Sequence, residues 1–445
     1  MTQIPGMIGV PADGDAPLDT RPAIPAQLDR KTRARAAVAG SAGNLIEWYD
    51  FYAYAYTALY FASAFFPEGD RTAQLLNVAA IYAAGFLIRP LGGWFFGRYA
   101  DRHGRRAAMI ASVLLMGAGS LLVAVLPTYS TIGAAAPALL LVARLMQGFS
   151  TGGQYGAAAT YLSEIAEPGK RGFYASFQFV TLIGGQLFAL LTIFLLQTAM
   201  SDEAIREWGW RIPFILGAVL AGVFILFRDA MHETAEPAGK GEDAGSLKTL
   251  MKHPRAMLTV MALSAAGAVT LYTFTTYMQK YLVNTAGMDV ATASRIMLVV
   301  TFAFLLLQPV LGILSDRIGR RTNLLIFSGG MTLFAVPLLG AIGKAQTVWA
   351  AGLLVFAALA IMSFYTSVSG LFKAELFPAS VRALGVGLGH AIASAIFGGT
   401  AEYAALLLKQ MGHEQAFAWY VSAICAVAFI VALRMKEPRA HGHLH

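Results

Sequence analysis

Apolar stretches long enough to cross about 30 Å of hydrocarbon recur along this chain, separated by short polar turns. They fall near residues 37–65, 74–97, 107–126, 136–160, 174–197 and 210–229, and then near 256–282, 291–313, 322–342, 348–372, 384–408 and 415–435. Backbone that crosses hydrocarbon must satisfy its own hydrogen bonds, so twelve such stretches predict an all-α membrane protein of twelve transmembrane helices. The interval between the sixth and seventh carries Pro237, Gly239, Gly241 and the charges Glu233, Glu236, Lys240, Glu242, Asp243, Lys248 and Lys252. It divides the chain into two six-helix halves, 37–229 and 256–435, joined by a cytoplasmic linker at 230–255. Residues 1–36, polar and punctuated by Pro5, Pro11, Pro17, Pro22 and Pro25, read as a disordered cytoplasmic tail, and 436–445 as a second tail.

The loops alternate in charge. One set carries Arg30-Lys31-Thr32-Arg33, Arg102-His103-Gly104-Arg105-Arg106, Lys170-Arg171, Arg317-Ile318-Gly319-Arg320-Arg321 and Arg434-Met435-Lys436, while the other set carries little charge. Basic loops stay in the cytoplasm, which predicts that both termini lie there too. The halves also repeat. Gly97-Arg98-Tyr99-Ala100-Asp101-Arg102-His103-Gly104-Arg105-Arg106 follows the second span, and Gly312-Ile313-Leu314-Ser315-Asp316-Arg317-Ile318-Gly319-Arg320-Arg321 follows the eighth. Glu164, Pro168 and Arg171 after span four are echoed by Glu375, Pro378 and Arg382 after span ten. Echoes six spans apart on one membrane side predict two parallel repeats with a substrate cavity between them near the midplane. An aspartate ending one helix can bond a loop arginine and a neighbouring helix N-terminus, a cluster able to hold one side shut.

Charges inside the spans give the candidate chemistry. Glu47 and Asp50 lie in Gly43-Asn44-Leu45-Ile46-Glu47-Trp48-Tyr49-Asp50-Phe51-Tyr52, and Arg89 and Arg144 lie in equally apolar runs. Each costs roughly 2.5–3.5 kcal/mol at mid-bilayer even on a lenient insertion scale, and intramembrane charge marks a substrate or ion pathway. At a rise of about 1.5 Å per residue, Asp50 comes about 20 Å from the cytoplasmic end of span one, and Arg144 about 10 Å from the outer end of span four. These depths match, so an Asp50–Arg144 pair is an expected proton-coupling element, with Glu47 on the same helix face as Asp50. Arg89 comes about 10–12 Å above the cytoplasmic end of span two without an acidic partner, which suits a carboxylate substrate. Tyr54, Gln178, Tyr277 and Lys280 are the other candidates for the substrate site. Arg211, Tyr365, His390 and Glu402 are weaker ones.

Composition narrows the rest. Of 445 residues, 57% are hydrophobic and 13% charged, and a net charge of +8 concentrated in short loops reflects topology rather than a nucleic-acid partner. One cysteine, Cys425, excludes an intrachain disulfide, and His441-Gly442-His443-Leu444-His445 reads as solvated tail. There is no Walker loop, no metal-ligand cluster and no Ser/His/Asp constellation outside the spans, so no cofactor, metal or enzymatic activity is expected. A non-transporting sensor would require a signalling domain that the short tails do not offer.

Twelve spans in two halves with the G-x-x-x-D-R-x-G-R-R loops resemble the major facilitator superfamily, over about Gly40 to Arg434. Asn44-Leu45-Ile46-Glu47-Trp48-Tyr49-Asp50-Phe51, Arg89-Pro90-Leu91-Gly92-Gly93 and Arg144-Leu145-Met146-Gln147-Gly148 narrow the resemblance to its metabolite:proton symporter family. That resemblance implies a gating latch built from Asp101, Arg102, Arg105, Glu164, Arg171, Asp316, Arg317, Arg320, Glu375 and Arg382. It also implies proton-coupled import of a dicarboxylate across the cell inner membrane by alternating access, with 2-oxoglutarate first among the candidates. Citrate, another organic acid or a zwitterionic osmolyte on the same fold is the alternative. The implied partners are a small organic anion, protons and the lipid bilayer, with no obligate protein partner. The family's Gly-Gly-Glu-Tyr-Gly is Gly152-Gly153-Gln154-Tyr155-Gly156 here, and Gln154 cannot titrate. Moving a dianion inward against a negative interior costs about 4.6 kcal/mol per 100 mV, at about 2.3 per charge. Two protons cancel that electrical cost, and each adds about 1.4 kcal/mol per unit of pH gradient.

Overall fold

The computed structural model describes residues 30–67, 71–226 and 245–444; the expected tail up to residue 29 and most of the linker lie outside the described residues. Every regular element described is helical. The first half contains span one (Arg30–Phe65), span two (Arg71–Leu87 continued by Arg89–His103), span three (Arg105–Val125), span four (Ala135–Ile165), span five (Arg171–Ala199) and span six (Ile212–Phe224). The second contains span seven (Pro254–Asn284), span eight (Val290–Ile318), span nine (Arg320–Gly343), span ten (Val348–Glu375), span eleven (Ala379–Lys409) and span twelve (Glu414–Arg434). Eight of these are long and apolar enough to cross a membrane by length and composition alone. Spans one, two, four and six fall outside that group. Spans one and four house the buried charges, span two is interrupted, and span six is short.

Three expected boundaries move. Span one already begins at Arg30, so residues 30–36 are helix rather than tail. Span ten continues past 372 to Glu375, because a fresh turn of helix, Ser369–Glu375, follows a break at Ser367 and Val368. The last residues dock instead of trailing into solvent. The Glu437 carboxylate accepts from the backbone N–H groups of Arg320 and Arg321 at 2.9 and 3.0 Å, capping the otherwise orphaned donors that open span nine. Beyond it His443 N–H donates to the Glu375 carbonyl, and Leu444 is buried against Ala175 and Leu371.

The halves meet along two equivalent seams, span two against span eleven and span five against span eight. Both repeated loops turn on a glycine, Gly104 (φ 98°) and Gly319 (φ 91°), in backbone space that side-chain-bearing residues rarely enter. This accounts for the invariant spacing of Gly after Asp in the two copies. Spans seven and eleven each contain a short π-helical stretch, Thr273–Tyr277 and Ser394–Gly398. Such bulges leave carbonyls free and are frequent near functional sites.

Within the first half, spans two and four cross at backbone distance. A Cβ on Gly152 would strike the Arg89 carbonyl, so this position has no room for any side chain. The approach holds Arg89 against span four, and close packing of this kind is what binds helices in a bilayer. Gly152→Val should destabilise the protein by about 1–3 kcal/mol through overpacking. A lower thermal unfolding midpoint in detergent is the expected result, and an unchanged midpoint would refute the tight crossing.

Candidate substrate and proton site

Span two breaks at Ile88 because Pro90 has no N–H to give the Phe86 carbonyl and its ring crowds that oxygen. Arg89 therefore sits at a helix discontinuity, buried at 4% exposure. Its guanidinium lies 3.8 Å from the centre of the Phe86 ring, 4.8 Å from Phe51 and 5.8 Å from Trp48. Arg144 of span four lies 4.1 Å over Tyr54 and about 6 Å from Phe51. Two arginines thus flank Phe51 and line one cavity of about 10 Å³. Aromatic faces stabilise a desolvated guanidinium by about 2 kcal/mol while leaving its N–H edge available. No carboxylate lies within 4 Å of either group among the described residues. Glu47, wholly buried, feels the field of Arg89, and one of its carboxyl oxygens has no hydrogen-bond partner.

Asp50 and Arg144 do not form the expected direct pair. Arg144 Nη1 donates to Gln147 Oε1 at 2.6 Å, Gln147 Nε2 donates to Ser120 Oγ at 2.8 Å, and Ser120 donates to Asp50 Oδ2 at 2.5 Å. Asp50 Oδ1 makes no hydrogen bond, and Gly217 of span six lies directly against it. Intervening polar side chains on spans three and four carry the connection. A relay with one free carboxylate oxygen can gain a proton without rearranging its other bonds.

The remaining sequence candidates divide. Tyr54 donates to the Val78 carbonyl and supports Arg144 from beneath, so it shapes the site rather than facing a ligand. Gln178 Nε2 reaches the Tyr155 carbonyl at 3.4 Å, on the boundary between the halves. Tyr277 is a correction: it packs between Tyr281 and Phe417 inside the second half. So is Lys280, which is half-exposed and ion-paired with Glu402 of span eleven. Gln154 accepts a hydrogen bond from Ser112 and is fully buried.

The two repeated loops form twin clusters across the seams. Asp101, ending span two, accepts from the N–H groups of Ala383 and Leu384 at the start of span eleven and pairs with Arg105 at 2.5 Å. Asp316, ending span eight, accepts from Gly172 and Phe173 at the start of span five and pairs with Arg320 at 3.0 Å. Glu164 joins Arg105 to Arg382 across the halves at 3.4 and 2.7 Å, and Glu375 meets Arg320 at 3.5 Å. Arg171 departs from the symmetry by donating to the Leu444 carbonyl at 3.0 Å. Arg102 is half-buried at the rim, and Arg317 is exposed and outside the cluster, because the residue after each aspartate points away from the seam.

Sequence reasoning missed Lys373, Tyr155, Ser120 and Gln147. Lys373 is fully buried between the halves. It obeys the same rule of charge in an apolar run that singled out Arg89, but a boundary drawn at 372 left it in a loop.

A profile of the Major Facilitator Superfamily matches residues 50–399 and 279–444. The chain belongs to that superfamily, in its metabolite:proton symporter family, and is a multi-pass membrane transporter rather than an enzyme. It is 57% identical over 410 residues to the alpha-ketoglutarate permease of Escherichia coli (strain K12), covering 92% of this chain and 95% of that one. It is 33% identical over 414 residues to the citrate-proton symporter of Salmonella typhi, covering 90% and 94%. The fold matches a double-tryptophan mutant of XylE with a TM-score of 0.76 at 17% identity, over 92% of this chain and 98% of that one.

Removing the Asp101 charge should loosen the seam. In a Cys425→Ser background with Ala159→Cys as probe between the halves, Asp101→Asn should speed thiol labelling several-fold. Unchanged labelling would show that the cluster does not hold this face closed.

Proposed function

We propose that this protein is a proton-coupled symporter that imports 2-oxoglutarate across the cell inner membrane, with the motif-bearing face and both termini in the cytoplasm. The observation that carries the reading is the pair of buried arginines without carboxylate partners, in a chain 57% identical to an alpha-ketoglutarate permease. Arg89 presents a guanidinium edge to one substrate carboxylate through bidentate charge-assisted bonds. Asp50, with Glu47 as the second carboxyl, carries the coupled proton, and the Ser120–Gln147–Arg144 relay reports its charge to the arginine. A cavity of about 10 Å³ holds one water and no dicarboxylate, so the halves must part before substrate reaches the arginines. Asp101, Arg105, Glu164, Arg382, Asp316, Arg320 and Glu375 act as the latch that opens toward the cytoplasm, with Arg171 tied to it through the chain end.

The deciding assay is uptake of labelled 2-oxoglutarate into proteoliposomes under an inward proton gradient, with citrate, shikimate and proline betaine as competitors. Accumulation abolished by a protonophore and resisted by these competitors is expected. Preferential displacement by one of them would reassign the substrate.

Arg89→Lys should lose nearly as much uptake as Arg89→Ala, because lysine lacks the planar fork. Near-wild-type affinity in either variant would remove Arg89 from the substrate site.

Asp50→Asn should abolish uphill, pH-driven accumulation while sparing substrate exchange, which needs no net proton release. Preserved accumulation would move the proton to Glu47, and loss of binding as well would reduce Asp50 to a structural role.

A further inference from the structure

A dicarboxylate has two charged ends, and Arg89 answers one. In the second half of the protein, Lys373 on the last turns of span ten is wholly buried between the halves. Its ammonium donates to Tyr155 OH of span four at 2.7 Å and to Ser369 Oγ at 3.0 Å, and meets His390 Nδ1 of span eleven at 3.3 Å. The His390 ring stacks on Tyr155 at 3.6 Å. All three partners are neutral oxygens or nitrogens, and no carboxylate lies within 4 Å of Lys373 among the described residues. The Tyr365 hydroxyl, on the ring 5.6 Å from the ammonium, makes no hydrogen bond. His390 lies within the electrostatic reach of both Lys373 and Arg89.

Depth agrees. Counted from the level where Asp101 and Glu164 join through Arg105, Arg89 rises about 18 Å along span two and Tyr155 about 14 Å along span four. The two cations therefore lie in opposite halves at heights that differ by less than about one helical turn, both above the level of the Asp101 cluster.

We propose that Lys373, seated among Tyr155, Ser369 and His390, binds the second carboxylate of the substrate from the C-terminal half and makes the site selective for two-headed anions. This rests on the organic-anion reading above. Binding exchanges the neutral partners of the ammonium for a carboxylate, with the Tyr155 and Tyr365 hydroxyls as further donors. Because Arg89 and Lys373 belong to different halves, a molecule held at both ends couples its own presence to their relative position.

Displacement of labelled 2-oxoglutarate from purified protein, by 2-oxoglutarate and by 2-oxovalerate, tests the assignment. The second acid has the same chain length and lacks one carboxylate. In Lys373→Met the affinity for 2-oxoglutarate should fall about 10- to 100-fold, the worth of a lost charge-assisted hydrogen bond, while that for 2-oxovalerate stays nearly constant. Lys373→Arg should keep the preference. A methionine variant with the wild-type preference overturns the proposal. If that variant does not fold, hydrogen exchange on the wild-type protein decides. Slowing across residues 369–376 by 2-oxoglutarate and not by 2-oxovalerate supports the assignment, and equal effects of the two acids overturn it. Wild-type protein that binds neither acid overturns the transport reading and the inference together.

Discussion

A charge buried in hydrocarbon must be met by something, and the arrangement of this protein follows from how each one is met. Arg89 and Arg144 are met by ring faces, which stabilise a cation without neutralising it. Asp50 is met by a hydroxyl at one oxygen and by nothing at the other. Lys373 is met by neutral polar atoms. At the seam clusters, buried charges are met by opposite charges and by helix N-termini. Direct pairing would silence the central groups, because a buried pair is costly to break from either side. Leaving them incompletely answered keeps them open to a proton or an anion, and the rigid crossing of spans two and four holds them in place.

The two seam clusters are built alike. Asp101 and Asp316 each bond the first turn of a helix in the opposite half, where the helix dipole favours a negative charge. Each also orients an arginine that reaches a glutamate of its own half, and Glu164 goes on to span the halves through Arg382. On the proposed latch reading, rocking one half would strip both helix caps together. The docked chain end adds an asymmetric element, since Glu437 caps span nine while the Leu444 carbonyl is held by Arg171 of the other half. On the proposed latch reading, making and breaking these bonds would give the two discrete arrangements that alternating access requires of a gate.

Most of the architecture was legible in the sequence because hydrocarbon leaves few alternatives: span count, the parallel repeat and the latch aspartates all follow from length, charge and spacing. Arg89, Arg144, Asp50 and Glu47 were legible for the same reason. The contacts among them were not. Helical rise gives depth without azimuth, so Asp50 and Arg144 could be placed level but not told apart from groups joined through Ser120 and Gln147. The same missing coordinate hid the packing of Tyr277 on Phe417 and the pairing of Lys280 with Glu402. Lys373 was lost to a boundary error of one residue, since span ten breaks and restarts at Ser369, a feature that apolar periodicity does not reveal.

The two halves repeat their latch but not their interior charge. Both proton candidates and both arginines belong to the first half, whereas the second contributes Lys373 and His390. If proton and anion were bound wholly within one half, neither would influence how that half sits against the other. An equilibrium is shifted only by a ligand that interacts differently with its two states. On the proposed reading, a substrate spanning Arg89 and Lys373 would do so, because its two ends are matched only when the halves hold the right separation. Protonation of Asp50 would act, through the relay to Arg144, on the cavity that Arg89 also lines. Breaking the repeat at the centre is then what would let an anion and a proton act on one motion.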